Sequence, residues 1–251
     1  MRQNTGAGQS VPPYYNFPMA DASADGKWPR LLSLSVHEFR TPITVVAGYI
    51  RMLLKDRAGP LSDPQRRLLE EAEKSCARLS ALVAEMSDLA ALEAGTAPLN
   101  RGDVDLQALL ADTVAALPGV PDQDKRVDLA SNGSGDVVSG DAARLKAAFT
   151  ALMTALRREL VTSDTLYVRQ DRRSGDGRDE YWIAFGDREQ IDRLQRSDAE
   201  SLQTFDEWRG GCGLSLAIAR RIFDAHGGRV WSAGDGAKTA AMVMLPCAPA
   251  K

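Results

Sequence analysis

Apolar side chains recur at Leu32, Val36, Phe39, Ile43, Val46, Ile50 and Leu53 with alternating spacings of four and three, the mark of a helix carrying one apolar seam. Pro29 suits the first turn of that helix, because a proline there forfeits no intrahelical hydrogen bond. Gly59-Pro60 breaks it, and Ser62 followed by Gln65 forms a capping box that opens a second helix. The second seam runs Leu69, Ala72, Cys76, Leu79, Val83, Met86 and Ala90. Two such helices of about seven turns, joined by a short loop, make an antiparallel hairpin that leaves its seams open. Pairing with a second copy closes them in a four-helix bundle, so a homodimer is expected. The alternative that periodicity leaves open is an intramolecular hairpin leaning on the rest of the chain.

After a hinge at Gly95 to Gly102 the periods mix. Val104 to Leu117 reads as a short helix, Arg126 to Ala130 as a strand and Ala142 to Leu160 as a longer helix. Thr165 to Gln170 and Glu180 to Phe185 read as strands around the turn Ser174-Gly175-Asp176-Gly177. The arginines beside them, Arg169, Arg172, Arg173 and Arg178, read as a solvated hairpin end. Leu214 to Ala225 is a helix stopped at Gly227-Gly228, with strands at Arg229 to Ser232 and Thr239 to Leu245. The fold class expected is α+β: a helical hairpin forming a dimeric four-helix bundle, followed by an α/β sandwich lobe with helices covering one sheet face. The divisions are 1–26 as a flexible tail, 27–96 as the bundle domain and 97–251 as the lobe.

Composition removes several functions. At 251 residues, 44% hydrophobic and 26% charged, the chain can bury an ordinary core in about two domains. No apolar run approaches a membrane span and no signal peptide opens the chain, so a cytoplasmic location is expected. Cys76, Cys212 and Cys247 form neither a disulfide framework nor a metal-ligand spacing, and no metal site is expected. A net charge of −3 gives no footprint for nucleic acid.

The sharpest chemical signal is His37-Glu38-Phe39-Arg40-Thr41-Pro42 on the first helix. His37 follows the seam residue Val36, which sets its ring beside the core and within reach of solvent. A neutral imidazole nitrogen is a competent nucleophile, and the Glu38 carboxylate can hold the other nitrogen as a donor. Thr41, one turn on, shares the face of His37. Pro42 leaves the Glu38 carbonyl without its helical donor and bends the helix there. Spacing alone equally allows an inert surface histidine, while a zinc-protease helix needs a second histidine where Thr41 stands.

This run resembles the H-box of the sensor histidine kinases of two-component signalling, over a hairpin similar to that family's dimerisation and phosphotransfer domain. The resemblance implies that His37 is phosphorylated and passes phosphate to a response regulator receiver domain. It also implies that Glu38 is the general base, and that Glu38 with Thr41 serves dephosphorylation of the regulator. Gly211-Cys212-Gly213-Leu214-Ser215 and Ala225-His226-Gly227-Gly228 resemble the family's ATP-binding lobe, where backbone N–H groups at a helix start meet phosphate oxygens. His226, at a helix end before two glycines, reads as a packing residue.

Key family features are missing. The two asparagine positions of the long helix, which hold magnesium in the family, fall on Ala151 and Ala155. The adenine-reading aspartate and its glycines are replaced by Gly186-Asp187-Arg188-Glu189-Gln190, where Asp187 is the nearest substitute. Asp187, Gly211, Gly213 and Leu214 are therefore the remnant nucleotide-binding residues, and binding of ATP and Mg is expected to be weak or absent. The reading favoured is phosphoryl exchange between His37 and a receiver aspartate, with another kinase upstream. An ATP-dependent kinase with a divergent site and a non-catalytic dimeric adaptor are the alternatives.

Overall fold

The computed structural model describes residues 27–119, 125–130, 137–161, 163–175, 178–208, 212–234 and 237–248; the expected tail at 1–26 lies outside the described residues. Helices α1 (Trp28–Leu54) and α2 (Asp63–Glu93) form the hairpin that the two seams predict. The Gln65 side-chain oxygen accepts from the Ser62 N–H at 2.9 Å and from its hydroxyl at 3.0 Å, fixing the start of α2. Arg66 reaches back to the Leu54 carbonyl at 2.9 Å and to both Asp56 carboxylate oxygens, which closes the connection. Gly95, at φ +65°, takes the left-handed conformation that ends α2.

Only part of each seam is covered within one chain. Leu32, Val36, Ile50, Cys76, Val83 and Ala90 are buried, joined by Ala47 rather than Val46. Phe39, Val46 and Leu79 stay 52%, 49% and 49% exposed, and Val45, Tyr49, Met52 and Leu82 add to an apolar face on the outside of the hairpin.

The lobe is a six-stranded sheet under helices. Strands β2 (Arg126–Leu129), β4 (Thr165–Gly175), β5 (Arg178–Gly186), β6 (Gln203–Thr204), β7 (Arg229–Ser232) and β8 (Ala241–Pro246) lie in the order β2-β4-β5-β8-β7-β6, with only the β2–β4 pair parallel. A two-stranded ribbon of β1 (Gly102–Asp105) and β3 (Val137–Gly140) stands beside it. The expected helix from Val104 thus starts later, as α3 (Leu106–Ala115): Asp105 caps it by accepting from the Ala108 N–H at 2.9 Å, and residues 102–105 pair with β3 instead. Asp176 and Gly177, at the expected hairpin turn, lie outside the described residues, and Gly175 pairs with Arg178 on either side of them.

One sheet face meets α3, α4 (Ala142–Glu159) and α6 (Ser215–Ala225) through a core in which the Phe149 ring lies 5.1 Å from Phe223 and 6.1 Å from Phe185. Alternation along β5 and β8 sends Trp182, Ala184 and Met242 to the other face, where Ile191 and Leu194 of α5 (Arg188–Arg196) cover them. Helices therefore cover both faces. Arg173 secures the end of α5, stacking on Trp182 at 4.5 Å and donating to the Gln195 and Ser197 carbonyls at 2.7 Å each. Arg172 pairs with Asp179 near the hairpin end, but Arg169 and Arg173, only 26% and 25% exposed, depart from the expected solvated end: Arg169 bonds to Asp128 of β2 and Arg173 to α5.

His226 ties α6 to α4. Its Nδ1–H donates to the Ile222 carbonyl at 2.7 Å, and its Nε2 accepts the Asp141 N–H at 2.9 Å, so the buried ring must be neutral. Burial pushes its pKa below the ordinary value of 6.5. The unfolded chain then binds a proton that the folded chain refuses, so stability is full above about 6.5 and falls as the pH drops from there through the folded-state pKa. Urea titrations from pH 7.5 downward are expected to show a slope of up to about 1.4 kcal/mol per pH unit, which His226→Gln flattens. An unchanged slope in the variant would assign the titration to another group.

Candidate functional site

His37 stands on α1 immediately after buried Val36, a rigid base for an outward ring. Its side chain is 78% exposed, and its Nδ1 lies 3.6 Å from the Glu38 Oε1. That separation exceeds a hydrogen bond, yet a small rotation of either exposed side chain closes it. Held that way, Nδ1 carries the proton and Nε2 presents its lone pair to solvent. His37, Arg40, Thr41 and Thr44 follow at i, i+3, i+4 and i+7 and so share one helix face. Below the histidine, Arg40, Ile43 and Thr44 of α1 meet Ser80, Val83 and Ala84 of α2 around a groove of about 160 Å³. Pro42 lies inside α1, which runs on without interruption to Leu54, and the Thr44 hydroxyl donates back to the Arg40 carbonyl at 2.8 Å.

Of the remnant nucleotide residues, Asp187 and Leu214 have structural contacts of their own. Asp187 caps α5, accepting from the Glu189 and Gln190 N–H groups at 3.0 Å each on one oxygen and from the Thr239 hydroxyl at 3.1 Å on the other. Gly211 lies outside the described residues, and Gly213, at φ +60°, turns the chain into α6. Leu214 packs away from the lobe, against Leu32, Leu89 and Ala90 of the hairpin together with Ala217 and Ile218.

A groove of about 620 Å³ runs between α4 and the start of α6, lined by Ala143, Lys146, Ala147, Thr150, Ala151, Thr154, Arg158, Cys212 and Ser215. Its side-chain oxygens are three hydroxyls, of which Thr150 donates to the Lys146 carbonyl at 2.7 Å and Ser215 to the Cys212 carbonyl. Magnesium takes carboxylate, amide or phosphate oxygens, and among the described residues no carboxylate or side-chain amide lines this wall. Ala151 faces the groove and Ala155 is buried in the core. The residues present do not fit a protein-held magnesium ion, and among the described residues no cluster of three His, Cys, Asp or Glu could hold a metal. Lys146, Thr150, Thr154 and Arg158 recur at a strict four-residue spacing along α4 and share this wall.

Hairpin and lobe meet at a small apolar patch flanked by two ion pairs. Arg221 Nε lies 2.5 Å from the Glu93 Oε1, and Arg144 Nη1 lies 3.0 and 3.2 Å from the two Asp88 oxygens. Charge reversal by Arg221→Glu places like charges against Glu93, and Glu207 and Asp224 stand nearby. The variant is expected to show a larger radius of gyration in X-ray scattering, restored by adding Glu93→Arg; equal radii in all three proteins would mean that these charges do not hold the contact.

The model of the His Kinase A (phospho-acceptor) domain matches residues 30–95. The chain is 28% identical over 219 residues to the circadian input-output histidine kinase CikA of Synechococcus elongatus, covering 84% of this chain and 29% of CikA. It is 30% identical over 221 residues to the sensor histidine kinase named TcrY in Mycobacterium tuberculosis, covering 84% of this chain and 44% of TcrY. The chain thus spans less than half the length of these relatives. The crystal structure of full-length ShkA in complex with AMPPNP shares the fold, with a TM-score of 0.59 at 24% identity over 88% of this chain and 46% of ShkA. Among the described residues no helix is long and apolar enough to cross a membrane.

Proposed function

Since the chain belongs to the histidine kinase family of two-component signalling, we propose that it exchanges phosphate between His37 and a receiver-domain aspartate, with little or no ATP-driven phosphorylation of its own. The observation that carries this reading is the asymmetry between its two halves: the exposed His37–Glu38 pair is intact, while Asp187 is consumed as a helix cap and the α4 groove lacks metal ligands.

In the exchange, the His37 Nε2 lone pair attacks phosphorus, the bond from phosphorus to the aspartyl oxygen breaks, and the aspartate leaves as a carboxylate. The Nδ1 proton passes to Glu38, so that the phosphorylated ring is neutral. The reverse path returns the phosphoryl group to a receiver. With Thr41 on the same face, a water held between it and Glu38 can hydrolyse an aspartyl phosphate docked against the α1–α2 groove. Phosphate enters from another kinase by way of the receiver. Dimerisation follows from the outer apolar face, where a second hairpin covers Val46 and Leu79.

Two incubations test the proposal. Phosphorylated receivers are expected to load His37 or lose their phosphate rapidly, whereas labelled Mg-ATP leaves the protein essentially unlabelled. Rapid stoichiometric labelling from Mg-ATP would overturn the second half, and inertness towards every receiver of the source genome would overturn the first.

A further inference from the structure

Helix α1 carries more apolar surface than its seam accounts for. Leu31, Leu34, Val45, Tyr49 and Met52 are between 45% and 60% exposed. At roughly 100° per residue, Leu34 and Met52 fall on one line along the helix, Leu31 and Tyr49 on a second about 60° away, and Val45 between the two. The centre of this stripe lies roughly 100° round the helix from Phe39 and Val46, and nearly opposite Ala47, which packs against Cys76 of α2. A dimer that closes the line of Phe39 and Val46 therefore leaves the stripe on its outer flank. In its middle, between Leu34 and Val45, the stripe is interrupted by Glu38 and Thr41, the polar residues that stand beside His37.

We infer that the N-terminal segment of this chain docks on that stripe through Tyr14, Tyr15 and Phe17, and so shields Glu38 from an incoming receiver. Tether length selects this occupant. Ten residues, Pro18 to Lys27, join the aromatic patch to the start of α1, and a small-residue linker of that length spans about 17 Å. A helix rises about 1.5 Å per residue, which sets Leu34, Glu38, Thr41 and Val45 about 9, 15, 20 and 26 Å along α1 from Trp28. Ten residues reach about 35 Å at full extension, so the whole interval lies within range and its middle sits at the commonest span. The tether holds the patch there at an effective concentration of order millimolar. Side-chain chemistry selects the same segment. The three rings cover Leu34 and Val45 on either side of the gap, while a tyrosine hydroxyl donates to the exposed Glu38 carboxylate within it. A strap without hydroxyls would desolvate that carboxylate and leave it unpaired. With Glu38 engaged, the proton acceptor for the His37 ring is occupied and phosphoryl uptake slows. That consequence rests on the proposed exchange; the docking does not.

The test uses the full chain with a photoreactive benzophenone side chain introduced in place of Val45, irradiated, digested and mapped by mass spectrometry. Attachment is expected at residues 12–18, in a product of single-chain mass. Combining Tyr14→Ser, Tyr15→Ser and Phe17→Ser removes the rings without touching α1 or the lobe, and is expected to cut attachment roughly fivefold or more. In the chain without the probe, the same three substitutions are expected to speed uptake of phosphate by His37 from a phosphorylated receiver roughly threefold or more, as the shielded fraction is released. Attachment to the hairpin of a second copy, attachment to any other segment, attachment undiminished in the triple variant, or no attachment would each overturn the docking. Correct attachment with an unchanged uptake rate would overturn the shielding. No uptake by either protein would overturn the proposed function and the shielding with it, while the attachment map still decides the docking.

Discussion

Replacing His37 by glutamine is expected to abolish phosphoryl uptake from a phosphorylated receiver, leaving only the spontaneous decay of the aspartyl phosphate. Glutamine keeps a polar side chain of similar reach, but its amide nitrogen has no lone pair free to attack phosphorus. The parent side chain is 78% exposed, so the variant keeps its fold and the loss can be read as chemistry. Glu38→Gln retains the nucleophile and removes the proton acceptor, so it is expected to slow uptake by roughly 10²–10⁴-fold. Rapid quench with acid-labile and base-labile label separated on gels distinguishes histidine from aspartate phosphate. Label persisting on His37→Gln would place the acceptor elsewhere and remove the basis of the functional proposal.

A second large effect is expected at the outer face of the hairpin. Val46→Glu combined with Leu79→Glu should convert a dimer into a monomer, because both side chains remain half uncovered in one chain and lie on the seams that need a partner. Covering the remaining half of such a side chain is worth on the order of 1 kcal/mol, and a dimer contains four of them, which corresponds to about a thousandfold in the dissociation constant. Bringing carboxylates into that interface raises the penalty further. Sedimentation equilibrium of parent and variant measures the shift. Should the double variant stay dimeric at the same concentration, the two-chain bundle is assembled through some other face.

The legibility of the molecule varied with the range over which its causes act. The run from His37 to Pro42 was readable because histidine, carboxylate and helix period sit within a few residues, and the capping box at Ser62 and Gln65 was readable because its hydrogen bonds close within one turn. The seams gave the hairpin but placed Val46 where Ala47 is buried, since a period of three and four names a stripe and not the neighbour that covers it. Strands β1 and β3 were missed because each is held by the other, more than thirty residues away along the chain, and that pairing leaves no mark in either segment alone. Helix α5 was missed because its segment was compared with a glycine turn, whereas its apolar residues Ile191 and Leu194 gain their purpose only from Trp182 and Met242 on distant strands.

By itself the sequence determined the helical hairpin, the α+β class of the lobe, and the placing of an exposed histidine beside a carboxylate, all set by local spacing and side-chain chemistry. Tertiary structure alone decided that Asp187 caps a helix, that His226 is neutral, that Leu214 packs against the hairpin, and that Lys146 and Arg158 share one groove. Those outcomes depend on which segments meet in space, where burial and hydrogen-bond partners come from residues far apart in the chain.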